Sequence, residues 1–200
     1  MTSKKRKKRN EKLAKLEERW GACKRCPLNK ERNNVVFWRG NPCAKIMLIG
    51  EAPGETEDLE GSPFVGASGK QLDLMLDECG LKTQNVFIAN VLGCRPPGNA
   101  NPEPKQVKKC RPRIERLIQI VKPKVIVLLG GQAALHMAGI TVLKPWKGKV
   151  VDVSTLKGDD VYKAIPTYHP SYYLRRGKNK TVWGEIVSHI KTAIEVATDE

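Results

Sequence analysis

Residues 46–69, IMLIGEAPGETEDLEGSPFVGASG, are where the architecture can be read most directly. Ile46, Met47, Leu48 and Ile49 form a continuous apolar run, as a strand covered on both faces requires. The run ends on a loop punctuated by Gly and Pro, residues 50–69, which holds five carboxylates and no basic residue. A strand feeding a polar loop that then opens a helix is where α/β folds place ligand sites, at the carboxyl ends of the strands. Residues 50–69 are therefore expected to be an active-site loop.

Outward from this unit the same alternation repeats. Strand-like runs at 45–49, 85–91, 125–129, 150–153 and 162–167 alternate with helical patterns at about 69–79, 104–121, 132–138 and 181–196. Gly80 closes the first of these helices, and Pro112 is expected to interrupt the second. The alternation predicts an α/β fold with a mainly parallel central sheet and helices on both faces. Leu13, Leu16 and Trp20 recur at helical spacing and predict a short amphipathic helix ending at Gly21.

The chain has 200 residues and 40% hydrophobic content, enough for one domain with a core, which is expected over 11–200. Thirty-six basic against 21 acidic residues give a net charge of +15, which points to a polyanionic partner such as DNA or RNA. Residues 1–10 carry six Lys or Arg and are expected to be a flexible basic arm, either a nucleic-acid tether or a solvated tail. The longest apolar run, 125–129, is far short of the roughly 20 residues of a membrane span. Residues 1–10 are polar and no apolar signal region follows, so an intracellular protein is expected, cytoplasmic or nucleoid-associated and monomeric. In that reducing setting its six cysteines read as thiols or metal ligands before disulfides.

Cys23 and Cys26 form a C-x-x-C followed by Pro27, with Cys94 just after a predicted strand and Cys110 sixteen positions on. Four thiolates suit either zinc or an iron–sulfur cluster, and their spacing does not choose between them. The Cys-Pro pair leans toward iron–sulfur, and the lack of a nearby His removes the mixed zinc-finger pattern. Such a centre would staple the N-terminal segment and the excursion 94–110 onto the sheet without touching the chemistry. Cys43 and Cys79 fall outside the pattern and are expected to be core thiols.

With these residues in view the chain resembles the family 4 uracil-DNA glycosylases, the iron–sulfur members of the uracil-DNA glycosylase superfamily. The resemblance rests on GEAPG at 50–54, GSPFVG at 61–66, IANVLGCRPPGN at 88–99, TYHPSYYLR at 167–175 and the four cysteines in order. It implies a three-layer α/β/α sandwich and a [4Fe–4S] cluster on Cys23, Cys26, Cys94 and Cys110. It also implies a DNA-repair hydrolase that flips deoxyuridine out of uracil-containing DNA, cleaves its N-glycosidic bond, releases uracil and leaves an abasic site. The competing readings are a non-catalytic DNA-binding module of the same fold, a replication accessory, and a zinc-bound RNA-binding protein.

Under this resemblance each motif residue has an expected role. Phe64, one of three phenylalanines, stacks on the flipped base. Asn90 accepts from uracil N3–H and donates to O4 through one amide, a pattern cytosine reverses. His169 donates to O2, where negative charge develops, whereas His136 and His189 lie on predicted helices without such context. Glu51 orients the attacking water or stabilises the cationic sugar, and its bulk near C5 excludes the methyl of thymine. Ala52 stands where some superfamily members carry a water-positioning Asp, and the backbone amides from Ala52 to Gly54 add donors. Ser171, Tyr172, Leu174, Arg175 and Arg176 contact DNA, with Tyr172, Tyr173 and Leu174 filling the vacated stack and Lys178 and Lys180 adding charge. Asn99 and Asn101 belong to a loop at phosphate or the site, and Ser68 or Lys70 is placed to bind a phosphate. Glu55, Glu57, Asp58 and Glu60 are expected to be exposed, helix-start or loop-ordering charges.

Overall fold

The computed structural model describes residues 3–154 and 160–199. Six strands, β1 (Trp38–Gly40), β2 (Ile46–Gly50), β3 (Val86–Asn90), β4 (Val125–Leu129), β5 (Val151–Ser154) and β6 (Val161–Thr167), form one sheet in the order β1-β3-β2-β4-β6-β5. The inner four are parallel, and β1 and β5 flank them antiparallel. The described residues also form seven α-helices: α1 (Ser3–Gly21), α2 (Glu55–Glu60), α3 (Ala67–Glu78), α4 (Pro104–Val121), α5 (Gly131–Ala138), α6 (Pro170–Arg175) and α7 (Lys180–Thr198).

Strands β2, β3 and β4 are buried at all five of their positions, which is why they read as unbroken apolar runs. Their side chains alternate between two cores. Met47, Ile49, Phe87, Ala89, Ile126 and Leu128 pack with α1, α4 and α5. Ile46, Leu48, Ile88, Val125 and Val127 pack with α3 and α7 on the other face. The result is the expected three-layer α/β/α arrangement with a mainly parallel sheet.

The chain leaves β2 for β3 on one side and then returns past β2 to β4 on the other. Between β2 and β4 lies the topological switch point where open α/β sheets bind ligands. The register aligns Gly50 with Asn90 and Leu129 with Thr167, so the carboxyl ends of all four parallel strands share one edge.

Four expectations change. Helix α1 begins at Ser3, so most of the basic segment read as an arm is helical. Lys and Arg are good helix formers, and Leu13, Leu16 and Trp20 anchor the far end of the same helix in the core. Its early turns are held as well, since Arg9 Nη1 donates to Pro42 O at 3.1 Å. Secondly, α4 runs unbroken through Pro112. An interior proline costs about 3 kcal/mol, but Ile114, Leu117, Ile118 and Val121 are fully buried on the sheet. Each contributes about 1.5–3 kcal/mol, and the packing wins. Thirdly, Asp58 is 1% exposed rather than a surface charge, and its carboxylate accepts from Asn33 N, Asn34 N and Asn33 Nδ2. Finally, Cys43 and Cys79 are half-buried rather than core thiols.

Candidate active site

The four aligned strand ends border a cleft of ≈ 630 Å³, lined among others by Glu51, Phe64, Asn90, Gly130 and His169. The β2–β3 ladder continues past the strands, with Val91 N donating to Gly50 O and Leu92 N to Glu51 O, both at 2.9 Å. Asn90 therefore sits beside Gly50, one position before Glu51, on an extended stretch of sheet. Arg113, fully buried on α4, donates through Nη2 to Asn90 O at 2.5 Å and to Val91 O at 3.2 Å, and fixes the main chain there.

Asn90 is 2% exposed, and its Oδ1 is buried with no hydrogen-bond partner among the described residues. An unpaired buried acceptor costs about 1–3 kcal/mol, a penalty that an incoming N–H donor would remove. The acceptor is reachable because residue 50 is glycine: a Cβ there would stand 2.4 Å from Asn90 Oδ1 and 2.5 Å from Phe64 Cζ.

Phe64 is 5% exposed and holds φ 57, a left-handed conformation that a bulky residue adopts only under constraint. The constraint is the start of α3, where a Cβ on Gly69 would fall 1.7 Å from Phe64 O. The strained main chain aims the ring into the cleft, 5.5 Å from the His169 ring.

His169 is the N-cap of α6. Its Nδ1 accepts from Ser171 N at 3.1 Å, and Ser171 Oγ lies 2.8 Å from the same nitrogen. A backbone N–H only donates, so Nδ1 is an acceptor and the neutral ring carries its proton on Nε2. Arg175 Nη1 donates to Ser171 Oγ at 2.8 Å, leaving the hydroxyl proton for Nδ1. Burial of the ring, and secondarily the Arg175 charge, lower its pKa from 6.5 to about 4, so it is neutral at pH 7. The residue as a whole is half-buried, but the ring lies against Phe64, and a Cβ on Gly130 would come within 3.0 Å of the His169 Cβ.

Glu51 is half-buried, and loss of water raises its pKa above the ordinary glutamate value, with Arg175 pulling the other way. Ala52 and Gly54 line the cleft, but the expected pair of amide donors is reduced. Glu57 takes Gly54 N at 3.0 Å and Gly66 N at 2.7 Å, clamping the two ends of the α2 segment together. Residue 53 is proline and has no N–H, so of this trio only Ala52 has a backbone donor not already spent on Glu57. Glu57 thus orders the loop, and Glu55 forms an exposed pair with Arg95 at 3.2 Å.

Ser171, Arg175, Ser68, Asn99 and Asn101 line the cleft, whereas Tyr172, Leu174, Arg176 and Lys70 do not. Tyr172 packs on Tyr168 with ring centroids 4.6 Å apart, and Tyr173 meets Trp183 edge-on at 5.1 Å, so neither tyrosine stands free as a wedge. Sequence reasoning missed Gly130, Gly131 and Gln132, which bring the N-terminus of α5, with its partial positive charge, to the cleft. The signal was present as a Gly-Gly pair directly after the apolar run 125–129.

The four motif cysteines gather behind β3, away from the cleft. Cys26 is the N-cap of the short turn Pro27–Lys30, Cys110 lies on α4, and Cys94 follows β3. Burial raises the Cys26 thiol, opposed by the Leu28 amide and aided by neighbouring Cys110 and Cys23. Burial likewise raises Cys94, with Arg32 opposing and Cys110 adding. Arg32 Nη1 donates to Cys94 Sγ at 3.1 Å and Gly93 N to Cys110 Sγ at 3.4 Å. Among the described residues no group of three or more His, Cys, Asp or Glu side chains is set to hold a single metal ion, and none of their helices is long and apolar enough to cross a membrane.

The family model of the uracil DNA glycosylase superfamily matches residues 37–191. The chain is 42% identical over 160 residues to the type-4 uracil-DNA glycosylase of Archaeoglobus fulgidus, covering 78% of this chain and 79% of that protein. It is 38% identical over 177 residues to the Thermotoga maritima type-4 uracil-DNA glycosylase, covering 86% and 88%. Against the Sulfurisphaera tokodaii type-4 uracil-DNA glycosylase it is 41% identical over 172 residues, covering 80% and 74%.

Proposed function

The chain belongs to the uracil-DNA glycosylase superfamily, among its type-4 uracil-DNA glycosylases, and we propose that it flips deoxyuridine out of DNA and hydrolyses its N-glycosidic bond. The observation that carries this reading is the buried, unpartnered Asn90 Oδ1 facing the cleft beside Phe64. Uracil N3–H supplies the donor that this oxygen lacks. Cytosine has no proton on N3 and leaves the oxygen unpaired, a loss of about 1–3 kcal/mol.

Phe64 stacks on the extruded base, which offsets part of the unstacking penalty of a few kcal/mol. As the bond breaks, the base gathers negative charge. His169 meets it as a neutral Nε2–H donor at O2, and the α5 N-terminus adds positive potential. Glu51, ionised, orients water or stabilises the positive sugar. Ser171, Arg175, Arg176 and Leu174 bear on the DNA, with Tyr172 acting through its packing on Tyr168. Work on genomic DNA implies an intracellular location, cytoplasmic or nucleoid-associated.

The thiol set fits a [4Fe–4S] cluster held by Cys23, Cys26, Cys94 and Cys110. N–H groups of Arg32 and Gly93 already point at two sulfurs, as in sites that hold such clusters. Cys26 has Cys110 and Cys23 as charged neighbours and Cys94 has Cys110, so the four thiols share one neighbourhood. Cys110 on α4, Cys94 after β3 and Cys23 and Cys26 on the N-terminal segment would hold it and so would be cross-linked through it; none of these four residues lines the cleft.

The test is incubation with a uracil-containing oligonucleotide. The wild-type protein is expected to produce abasic sites at uracil and none at cytosine or thymine, and Asn90→Ala to produce none. A wild-type protein that binds the strand but excises nothing would instead favour the DNA-binding accessory. A brown preparation with stoichiometric iron and sulfide is expected; a colourless, zinc-loaded one would overturn the cluster. Gly50→Ala is expected to fold normally yet lose about 100-fold in excision, because its Cβ displaces the Asn90 amide or the Phe64 ring by an ångström or more. Circular dichroism and single-turnover excision measure the two halves of that statement.

A further inference from the structure

We propose that the loop 144–150 forms a second DNA surface, on which Trp146, flanked by Lys144 and Lys149, stacks an unpaired base of the strand beyond the cleft. The proposal rests on the uracil-excision reading for its context, but its observations are separate.

Sheet register puts the loop at the right edge. Strand β5 runs antiparallel to β6 with Val151 opposite Ala164, so the segment preceding β5 lies beside the carboxyl end of β6, where His169 follows. Gly148 N donates to Pro166 O at 2.9 Å and pins the loop there. Gly148 holds φ 72, and a Cβ on it would stand 2.5 Å from His189 Cδ2, so the loop approaches α7 as closely as only glycine permits.

Lys147 points inward and is not available to a ligand. Its Nζ donates to Tyr168 OH at 2.9 Å and to Glu185 Oε2 at 2.8 Å, and it lies 4.2 Å from the Tyr168 ring centroid. Tyr168 stacks on Tyr172, and the Arg176 guanidinium lies 5.9 Å over the Tyr172 ring. This pair of rings between two cations ties the loop to α6, whose Ser171 and Arg175 line the cleft. Glu185, the acid at the loop, is neutralised by Lys147.

What remains outward is Trp146, 45% exposed, with Lys149 Nζ 6.0 Å from its ring centroid and Lys144 exposed two residues before it. An exposed indole with one ammonium near its ring and a second exposed lysine two residues away, on a chain of net charge +15, matches a nucleic-acid strand: the ring offers a stacking plane and the lysines neutralise flanking phosphates. Stacking needs an unpaired base, so the ligand is the single strand continuing from the flipped nucleotide.

The experiment is fluorescence anisotropy of the full chain with undamaged single-stranded oligonucleotides, so the result does not depend on excision. The strands are lengthened first on one flank and then on the other. Trp146→Ala is expected to weaken binding of a long strand roughly tenfold or more, Trp146→Phe to retain most of the affinity, and a short strand to show no difference. Lys149→Glu should lower the magnitude of the salt slope by about one or more. Lys45→Ala, at the opposite edge of the sheet, is the control and should match wild type. Equal binding of long strands by Trp146→Ala and wild type would overturn the proposal, including the case where the exposed indole serves a protein partner. Absence of uracil excision by wild type, with the Trp146 effect intact, would overturn the uracil reading and leave the strand surface standing.

Discussion

Replacing His169 by alanine is expected to slow single-turnover uracil excision by about 100- to 1,000-fold, the typical loss when one oxyanion donor is removed. The side chain is committed in three ways. Ser171 N holds Nδ1 as an acceptor, burial lowers the pKa to about 4, and Phe64 lies beside the ring. The donor is therefore a neutral Nε2–H, already oriented before the base arrives. Arg175 is not placed to substitute, since it is engaged with Ser171 Oγ. A loss below about tenfold would remove His169 from the reaction.

The pH dependence separates His169 from Glu51. Because His169 titrates at about 4, it remains a neutral donor from neutrality down to that pH, and it cannot cause a fall in rate at higher pH. Glu51, with its pKa raised by burial and only partly restored by Arg175, must be ionised to act. The rate is expected to rise with pH through a value above the ordinary glutamate range, and Glu51→Gln should abolish that limb. Stability follows a different rule. A histidine whose folded pKa lies below its unfolded value contributes fully above about 6.5, and that contribution is lost as pH falls from there toward 4. His136 and His189, also lowered by burial, act in the same direction. Denaturation midpoints measured from pH 8 to pH 4 should therefore decline even where His169 still serves excision.

Arg113→Met is the second large effect, and it is one of stability first. The guanidinium is fully buried, and it donates to Asn90 O at 2.5 Å, Val91 O at 3.2 Å and Phe37 O at 3.5 Å. Methionine fills similar space but leaves buried carbonyls without donors, at about 1–3 kcal/mol each. The expected loss is about 2–5 kcal/mol in chemical denaturation. Lysine should rescue little, because one ammonium cannot span both Phe37 O, reached by Nη1, and the Asn90 and Val91 carbonyls, reached by Nη2. Since the same bonds hold Asn90, excision at a temperature where the variant is folded should also fall. A variant within 1 kcal/mol of wild type and equally active would show that Asn90 is held by β-sheet pairing alone.

Much of the site was legible because motifs at strand ends need only local cues. Apolar runs located β2, β3, β4 and β6, and Glu51, Asn90 and His169, at or just past the ends of β2, β3 and β6, do converge on one cleft. The continuity of α4 through Pro112 was not legible, because local propensity says nothing of the face that Ile114 and Leu117 bury. The burial of Asp58, a helix-start and loop-ordering charge as expected, was not legible for a similar reason: its partners, Asn33 and Asn34, lie about 25 positions away. Gly54 was credited with a free amide that Glu57 occupies, a capping bond visible only once the loop is folded.

By itself the sequence determined the α/β class, every described strand except the short edge strand β1, the motif residues and the four thiols, since each depends on residue type and short-range period. Only the tertiary structure decided the tautomer of His169, the unpaired Oδ1 of Asn90, the strain at Phe64 and the buried fork of Arg113. These are properties of desolvation and of partners brought together from distant positions, and neither is encoded in any short stretch of chain.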